Sequence, residues 1–162
     1  MTEWEALGRV GLALVAGALL GLEREISDKP AGLRTYALVS QGAALFMVLS
    51  LMLATSTHIP GTFVDPSRIA STVVQGIGFL AGGVIFTIGR HVKGLTTAAG
   101  VWVAAAIGLL IGNGFYILGF GGVVMTVLAL RVFGAIAHRF PDGVRHDRAS
   151  PDEEHHERGL LD

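Results

Sequence analysis

The sequence predicts an all-α fold, a polytopic bundle of five transmembrane helices, and three observations predict it. Of the 162 residues 51% are hydrophobic and only 15% are charged, and the mean hydropathy of +0.59 lies outside the ordinary range of soluble domains. The apolar residues cluster in five runs, each near the roughly 20 residues that cross a bilayer. Lysine and arginine gather between these runs on one side of the predicted membrane.

The first run covers residues 4–22 and contains one arginine, Arg9, near enough to the end of the span for its charge to reach the interface. A cleaved signal peptide is the alternative. However, Thr2, Glu3 and Glu5 stand where a basic cluster would be, and no small-x-small cleavage site precedes Glu23. A retained helix is therefore expected.

The remaining runs predict four more spans. The second, third and fourth contain no Asp, Glu, Lys or Arg, and the fifth contains only Arg131, close to its end. These runs cover residues 35–54, 69–88, 95–111 and 115–137.

Basic residues set the predicted topology, because they follow the first, third and fifth runs. The positive-inside rule then places the N-terminus outside and the C-terminus in the cytoplasm. The chain divides into a transmembrane domain, residues 1–137, and a charged cytoplasmic tail, residues 138–162, which is expected to be disordered. The residues concerned are Arg24, Lys29, Arg34, Arg90, Lys93, Arg139, Arg145, Arg148 and Arg158.

Two cytoplasmic turns resemble each other. The string GLRTYALV starts at Gly32 and GLTTAAGV starts at Gly94, and the two agree at Gly, Leu, Thr, Ala and Val. Each follows one apolar run and opens another. This pattern predicts a tandem repeat of two parallel helical hairpins, related by an axis along the membrane normal.

Small residues at four-residue spacing indicate close helix packing. We favour packing within one bundle over a dimerisation face, and a homo-oligomer stays open. The pairs are Gly17 with Gly21, Gly78 with Gly82, and Gly108 with Gly112.

Two glutamines, Gln41 and Gln75, are the intramembrane polar amides. The second helix runs outward and the third inward, so each amide lies about 10 Å from a different face of the membrane. A direct hydrogen bond between them within one subunit is not expected.

The sequence disfavours transport and catalysis. A pathway for a divalent cation usually needs oxygen ligands, often carboxylates, and here the acidic residues lie at span ends, in a loop and in the tail. Cysteine is absent, the spans contain no histidine, and no nucleophile elbow, phosphate loop or zinc-helix motif occurs. We therefore expect no enzyme activity, no cofactor, no metal site and no nucleic-acid partner.

The two turns form a candidate interaction or anion-binding cluster. If helices begin just after Gly32 and Gly94, their N–H groups and positive dipole ends lie beside basic side chains, which suits lipid phosphate or an acidic protein segment. Topology and ordinary capping explain the same residues without a ligand, and pairing of Glu23 with a nearby cation explains that carboxylate. The cluster comprises Glu23, Arg24, Lys29, Arg34, Thr35, His91, Lys93, Thr96 and Thr97.

Three blocks carry a family resemblance: GLEREISDKPAGLRTYALVSQGAALF, DPSRIASTVVQGIGFLAGGVIF and VKGLTTAAGVWVAAAIGLLIGNGFY. In this order they resemble the MgtC/SapB family of bacterial inner-membrane proteins, over about residues 12–116. The resemblance implies a five-helix, multi-pass domain in the bacterial inner membrane with a cytoplasmic C-terminus. It also implies a role in magnesium limitation and acid stress, either as a magnesium transporter or as a regulator of membrane partners, including the proton-translocating ATP synthase.

The chain departs from the family pattern at two places. Virulence-type relatives often have Asn where Thr96 stands, and many members continue into a folded cytoplasmic domain where this chain has a short polar tail. It thus resembles the short form that has only the membrane domain. The expected function is a non-enzymatic modulator of magnesium or proton homeostasis, or of stress adaptation, whose partners are the lipid bilayer and other membrane proteins. The alternative is a transporter of magnesium or another small solute.

Overall fold

The computed structural model describes residues 1–56, 65–89 and 91–139, where the chain forms five helices and one two-stranded hairpin. The middle of the predicted outer loop and nearly all of the predicted tail lie outside these residues. In chain order the elements are α1 (Glu3–Ile26), α2 (Leu33–Ser56), α3 (Ser67–Gly82), β1 (Phe86–Ile88), β2 (His91–Lys93), α4 (Leu95–Asn113) and α5 (Tyr116–Arg139).

Four helices of the described chain are long and apolar enough to cross a membrane, namely α1, α2, α4 and the Tyr116–Ala137 part of α5. The predicted helical membrane fold is confirmed at this level. The remaining helix, α3, has 16 residues. Its length of roughly 24 Å is less than the ~30 Å of a bilayer's hydrocarbon core.

The prediction of one unbroken helix through residue 88 is wrong, because α3 ends at Gly82. Two successive glycines, Gly82 and Gly83, weaken the helix there, and the β-branched and aromatic residues that follow favour a strand. Phe86 pairs with Lys93 and Ile88 with His91 in an antiparallel hairpin. An apolar run that reads as the end of a span is therefore half of a β-hairpin.

Helix α1 is delimited by strong local signals at both ends. At its start, Thr2 and Glu5 form a reciprocal capping box. At its end, Asp28 adopts a left-handed conformation with φ of 51°. There the N–H of Lys29 donates to the carbonyl of Arg24 and that of Asp28 to the carbonyl of Glu25, the nested pair of a Schellman motif. The chain thus turns back at once into α2.

Residues 1–128 form one compact unit, whose core lies among α1, α2 and α4. Small side chains let these helices approach closely. A Cβ at Gly17 would collide with the carbonyl oxygen of Tyr36 in α2, and one at Gly21 would lie 2.6 Å from the Cα of Leu33. Helix α1 therefore packs against α2 almost backbone to backbone.

Helices α2 and α4 also pack closely at glycines. A Cβ at Gly108 would collide with the carbonyl oxygen of Ser40, and one at Gly112 would lie 2.9 Å from that of Ala44. Gly78 and Gly82 of α3 differ, since a Cβ at either would meet nothing within 4 Å and both residues are exposed. In the described chain, the predicted small-residue pairs thus lie at close helix contacts in α1 and α4 but not in α3.

Helices α3 and α5 cover less of the core. Only Ile77 and Ala81 of α3 are fully buried. In the part of α5 before residue 129, Gly119 lies over Ile111 of α4, and Val123 is buried. These two helices consequently present many large apolar side chains outward, as membrane lipid allows.

Candidate functional site

A buried polar cluster lies where α1 ends and where α2 and α4 begin, which we call the turn end of the bundle. Glu23 and Arg24 come from the last turns of α1, Tyr36 from the first turn of α2, and Thr97 from the first turn of α4. All four are at most 8% exposed. Buried ionisable groups at a membrane helix end are rare because they are costly, so this cluster is the principal candidate site.

The contacts in the cluster link all three core helices. The phenol of Tyr36 donates to the Thr97 carbonyl oxygen at 3.2 Å. One terminal nitrogen of Arg24, Nη2, donates to the Thr97 hydroxyl at 3.5 Å, while Nη1 lies 3.5 Å from Oε2 of Glu23. The other oxygen of Glu23 accepts from the Ser27 hydroxyl at 3.0 Å. The start of α4 is therefore attached to both neighbours by polar contacts.

Several polar atoms in and near the cluster are incompletely satisfied. Oε2 of Glu23 and Nε of Arg24 are buried and form no hydrogen bond within the described part of the chain. The hydroxyl of Ser40, one turn beyond Tyr36 on α2, is likewise buried and forms no hydrogen bond within the described part of the chain. A buried polar atom without a hydrogen-bond partner lowers stability.

The two turns that hold the cluster are built differently. In the first, Oε2 of Glu25 accepts the N–H of Leu33 at 2.9 Å and so caps α2, and the carboxylate fills the space where a Cβ of Gly32 would lie. In the second, Gly94 has φ of 90°, and a Cβ there would collide with the Val84 carbonyl. The backbone therefore requires a glycine at position 94, whereas Gly32 leaves room for the flexible side chain of Glu25.

The structure divides the predicted interaction cluster into two sets. Glu23, Arg24 and Thr97 are buried together as described. The other members are exposed on the turn after α1, on β2 and on the first residues of α2 and α4, and they are Lys29, Arg34, Thr35, His91, Lys93 and Thr96. The buried set can fix helix positions, and the exposed set can meet a partner.

At the opposite end of the bundle, a second arginine joins two helices. Nη1 of Arg9 donates to the carbonyl oxygen of Gly112 at 3.1 Å, next to the left-handed Gly114 that ends α4. The carbonyls of a final helical turn lack intrahelical partners, so a cation is favourable there. The sequence predicts that Arg9 reaches the interface but gives no sign of this partner.

The intramembrane amides do not converge with the cluster. Gln41 is half-buried on α2, and Gln75 is exposed on α3. In the described residues, no group of three or more His, Asp or Glu side chains lies close enough to hold a metal ion.

Sequence reasoning missed Tyr36 and Ser40. A tyrosine inside an apolar run is a usable signal, because a buried phenol needs a hydrogen-bond partner. Its partner, a backbone carbonyl of another helix, leaves no trace in the sequence. Ser40 gives no comparable signal.

The fold and this site define a class of protein: a multi-pass helical membrane protein with a tightly packed core and its buried charges at the helix ends. The sequence resolves the class further. It matches the MgtC family over residues 10–139, and the chain belongs to that family.

Three relatives illustrate the relationship. The chain is 46% identical over 136 residues to "Putative magnesium transporter YhiD" of Escherichia coli (strain K12), an alignment that covers 83% of this chain and 63% of that protein. It is 49% identical over 102 residues to "Protein MgtC" of Salmonella typhimurium (strain LT2), covering 63% and 41%. It is 43% identical over 143 residues to an uncharacterized Synechocystis protein, covering 86% and 58%. The chain thus spans less than two thirds of each relative, and no solved structure matches it.

Proposed function

We propose that this chain is a non-enzymatic protein of the bacterial inner membrane that modulates magnesium or proton homeostasis, or stress adaptation, by contacting other membrane proteins. Its exposed turn-end residues form the contact surface, and the buried cluster holds the two turns that carry them. The proton-translocating ATP synthase is a partner suggested by family resemblance alone.

The close packing of α1, α2 and α4 carries this proposal. Arg9 and Glu23 bound a stretch of α1, roughly 21 Å long at 1.5 Å per residue, that contains no ionisable side chain. Gly17, within that stretch, and Gly108 of α4 bring the backbones of their helices into contact with α2. A cation crossing this core would meet neither a carboxylate ligand nor a gap between the helices.

The proposed topology places the turn end in the cytoplasm and the N-terminus outside. Lys29, Arg34 and Lys93 are exposed at that end, in accord with the positive-inside rule. We take α3 and the hairpin together as the third of five crossings. The helices α2 and α4 run in the same direction, each directly after a glycine of the repeated string, which supports the tandem-hairpin repeat.

A transporter of magnesium or another small solute is the second candidate, and the name of the Escherichia coli relative favours it. Because the α1–α2–α4 core is closed, a pathway would have to form elsewhere, for instance between copies of a homo-oligomer.

Capture of partners from native membranes tests the contact surface. The full chain with an affinity tag is cross-linked in its own membranes, and captured membrane proteins are identified by mass spectrometry. The triple variant Lys29→Glu, Arg34→Glu, Lys93→Glu reverses three exposed charges, so it should lose partners that the unmodified chain captures.

Arg139→Glu is the matched control, since Arg139 is also an exposed arginine but belongs to the end of α5 and to neither of the two turns. A reporter fused to the C-terminus verifies that each variant keeps its orientation. Equal capture by the triple variant and the unmodified chain, with normal insertion, would show that these turns are not the contact surface.

A further inference from the structure

An apolar groove of about 710 Å³ runs between α2 and α3, with Ala105 of α4 in its lining. Its walls are leucine, valine, isoleucine and phenylalanine side chains interrupted by Gly42 and Gly76. The hydroxyl of Thr72, which also lines it, donates to the carbonyl of Arg68 in its own helix at 2.9 Å. The groove therefore suits a hydrocarbon and offers little to an ion or polar solute.

The groove is shorter than a membrane-spanning helix. Its lining extends over residues 38–49 of α2 and 69–80 of α3, which is roughly 16 Å at 1.5 Å per residue. The hydrocarbon core of a bilayer is ~30 Å thick. A transmembrane helix of a partner would need about twice this length, so the dimensions favour an acyl chain.

A cation lies next to the end of the groove formed by Ile69. Arg68 precedes Ile69 in α3 and is exposed, and within the described residues its guanidinium has no hydrogen bond or salt bridge. The acidic neighbour, Asp65, accepts the N–H of Ser67 at 2.9 Å. Hydrogen bonds from Ser67 and, as a smaller contribution, the positive charge of Arg68 hold the pKa of the Asp65 carboxyl below its ordinary value. The exposed Arg68 guanidinium makes no direct ion pair within the described residues and can bind a phosphate at the interface.

We infer that this groove binds one glycerophospholipid, with an acyl chain between α2 and α3 and the headgroup phosphate against Arg68. The Ser50 hydroxyl, which donates to the Pro66 carbonyl at 3.2 Å, ties α2 to α3 near the headgroup. This lipid separates the two helices and takes the place of side chains that Gly42 and Gly76 lack.

Filling the groove tests the inference. A Cβ at Gly42 or Gly76 would meet nothing within 4 Å, so Gly42→Leu with Gly76→Leu should occupy the groove without displacing the helices. The matched control is Gly8→Leu with Gly11→Leu, two equally open positions on the exposed side of α1. Each full-length protein is extracted from nanodiscs of phosphatidylethanolamine and phosphatidylglycerol, and native mass spectrometry counts the retained phospholipid.

The unmodified chain and the control should carry one retained phospholipid, and the groove-filled variant should retain it about tenfold less often, a loss of ~1.4 kcal/mol. Arg68→Gln should reduce retention without abolishing it. If the double variant does not fold, phospholipid retention is measured for Gly76→Leu alone. Unchanged retention would overturn the inference, as would a groove-filled variant that loses a second protein copy instead of lipid.

Discussion

At the scale of single residues, Arg24 is a costly buried charge. It is 5% exposed, its contacts to Glu23 and Thr97 are both 3.5 Å, and its Nε has no hydrogen bond within the described chain. A buried ion pair of such loose geometry contributes little net stability. Arg24 instead determines which faces of α1 and α4 meet at the turn end.

Substitutions at Tyr36 and Gly100 test the packing of α2 against α4 at the turn end directly. The phenol hydroxyl donates to Thr97, and a Cβ at Gly100 would collide with it. Tyr36→Phe removes the donor and should lower the free energy of unfolding by about 1 kcal/mol. Gly100→Ala should cost ~1–3 kcal/mol because it overpacks the same contact.

In the double variant the two costs should be less than additive by about 1 kcal/mol, since phenylalanine removes the atom with which the new methyl group collides. Denaturant unfolding in detergent micelles, followed by circular dichroism, measures all three variants. Gly11→Ala, at an open position of α1, is the control. Strict additivity would contradict the described contact.

At the scale of elements, the two copies of the repeated string begin helices for different reasons. Gly32 leaves space for the Glu25 carboxylate that caps α2, whereas Gly94 has a left-handed backbone that lies against the Val84 carbonyl. A flexible side chain can move away from a new methyl group, and a backbone carbonyl cannot do so cheaply.

Gly94→Ala should therefore cost about 2 kcal/mol or more, through strain at a positive φ and the collision with Val84. Gly32→Ala should cost about 1 kcal/mol, through loss of the cap on α2. In a Glu25→Ala background, Gly32→Ala should add little. Thermal unfolding in one detergent ranks these variants, and equal costs for the two glycines would refute the distinction.

The sequence predicts the ends of α1, α2, α4 and α5 to within a few residues, because charged turns interrupt the apolar runs sharply. It does not predict the end of α3, since Val84 to Ile88 continue the apolar run and hydropathy alone does not separate a strand from a helix. It places Glu23, Arg24 and Thr97 near one membrane face. It does not place Tyr36 among them, because the face of α2 that meets α4 is decided by packing.

At the scale of the whole molecule, most of the described charges lie near helix ends, in turns or on the hairpin, whereas Arg9 and Arg131 lie within α1 and α5. Backbone contacts at Gly17 and Gly108 fill the space between Arg9 and Glu23. The chain belongs to the MgtC family, and its Escherichia coli relative is named a putative magnesium transporter. The function that we propose for this chain differs, since it assigns any effect on magnesium or proton balance to contacts with other membrane proteins.

Magnesium flux into proteoliposomes tests this account most directly. The purified chain is reconstituted with an encapsulated magnesium-sensitive dye, and uptake is recorded with and without an inside-negative membrane potential. Protein-free liposomes provide the baseline, and liposomes with an established magnesium channel verify the assay. The account predicts uptake no faster than the baseline. Protein-dependent uptake that saturates with external magnesium would contradict it and would favour the transporter.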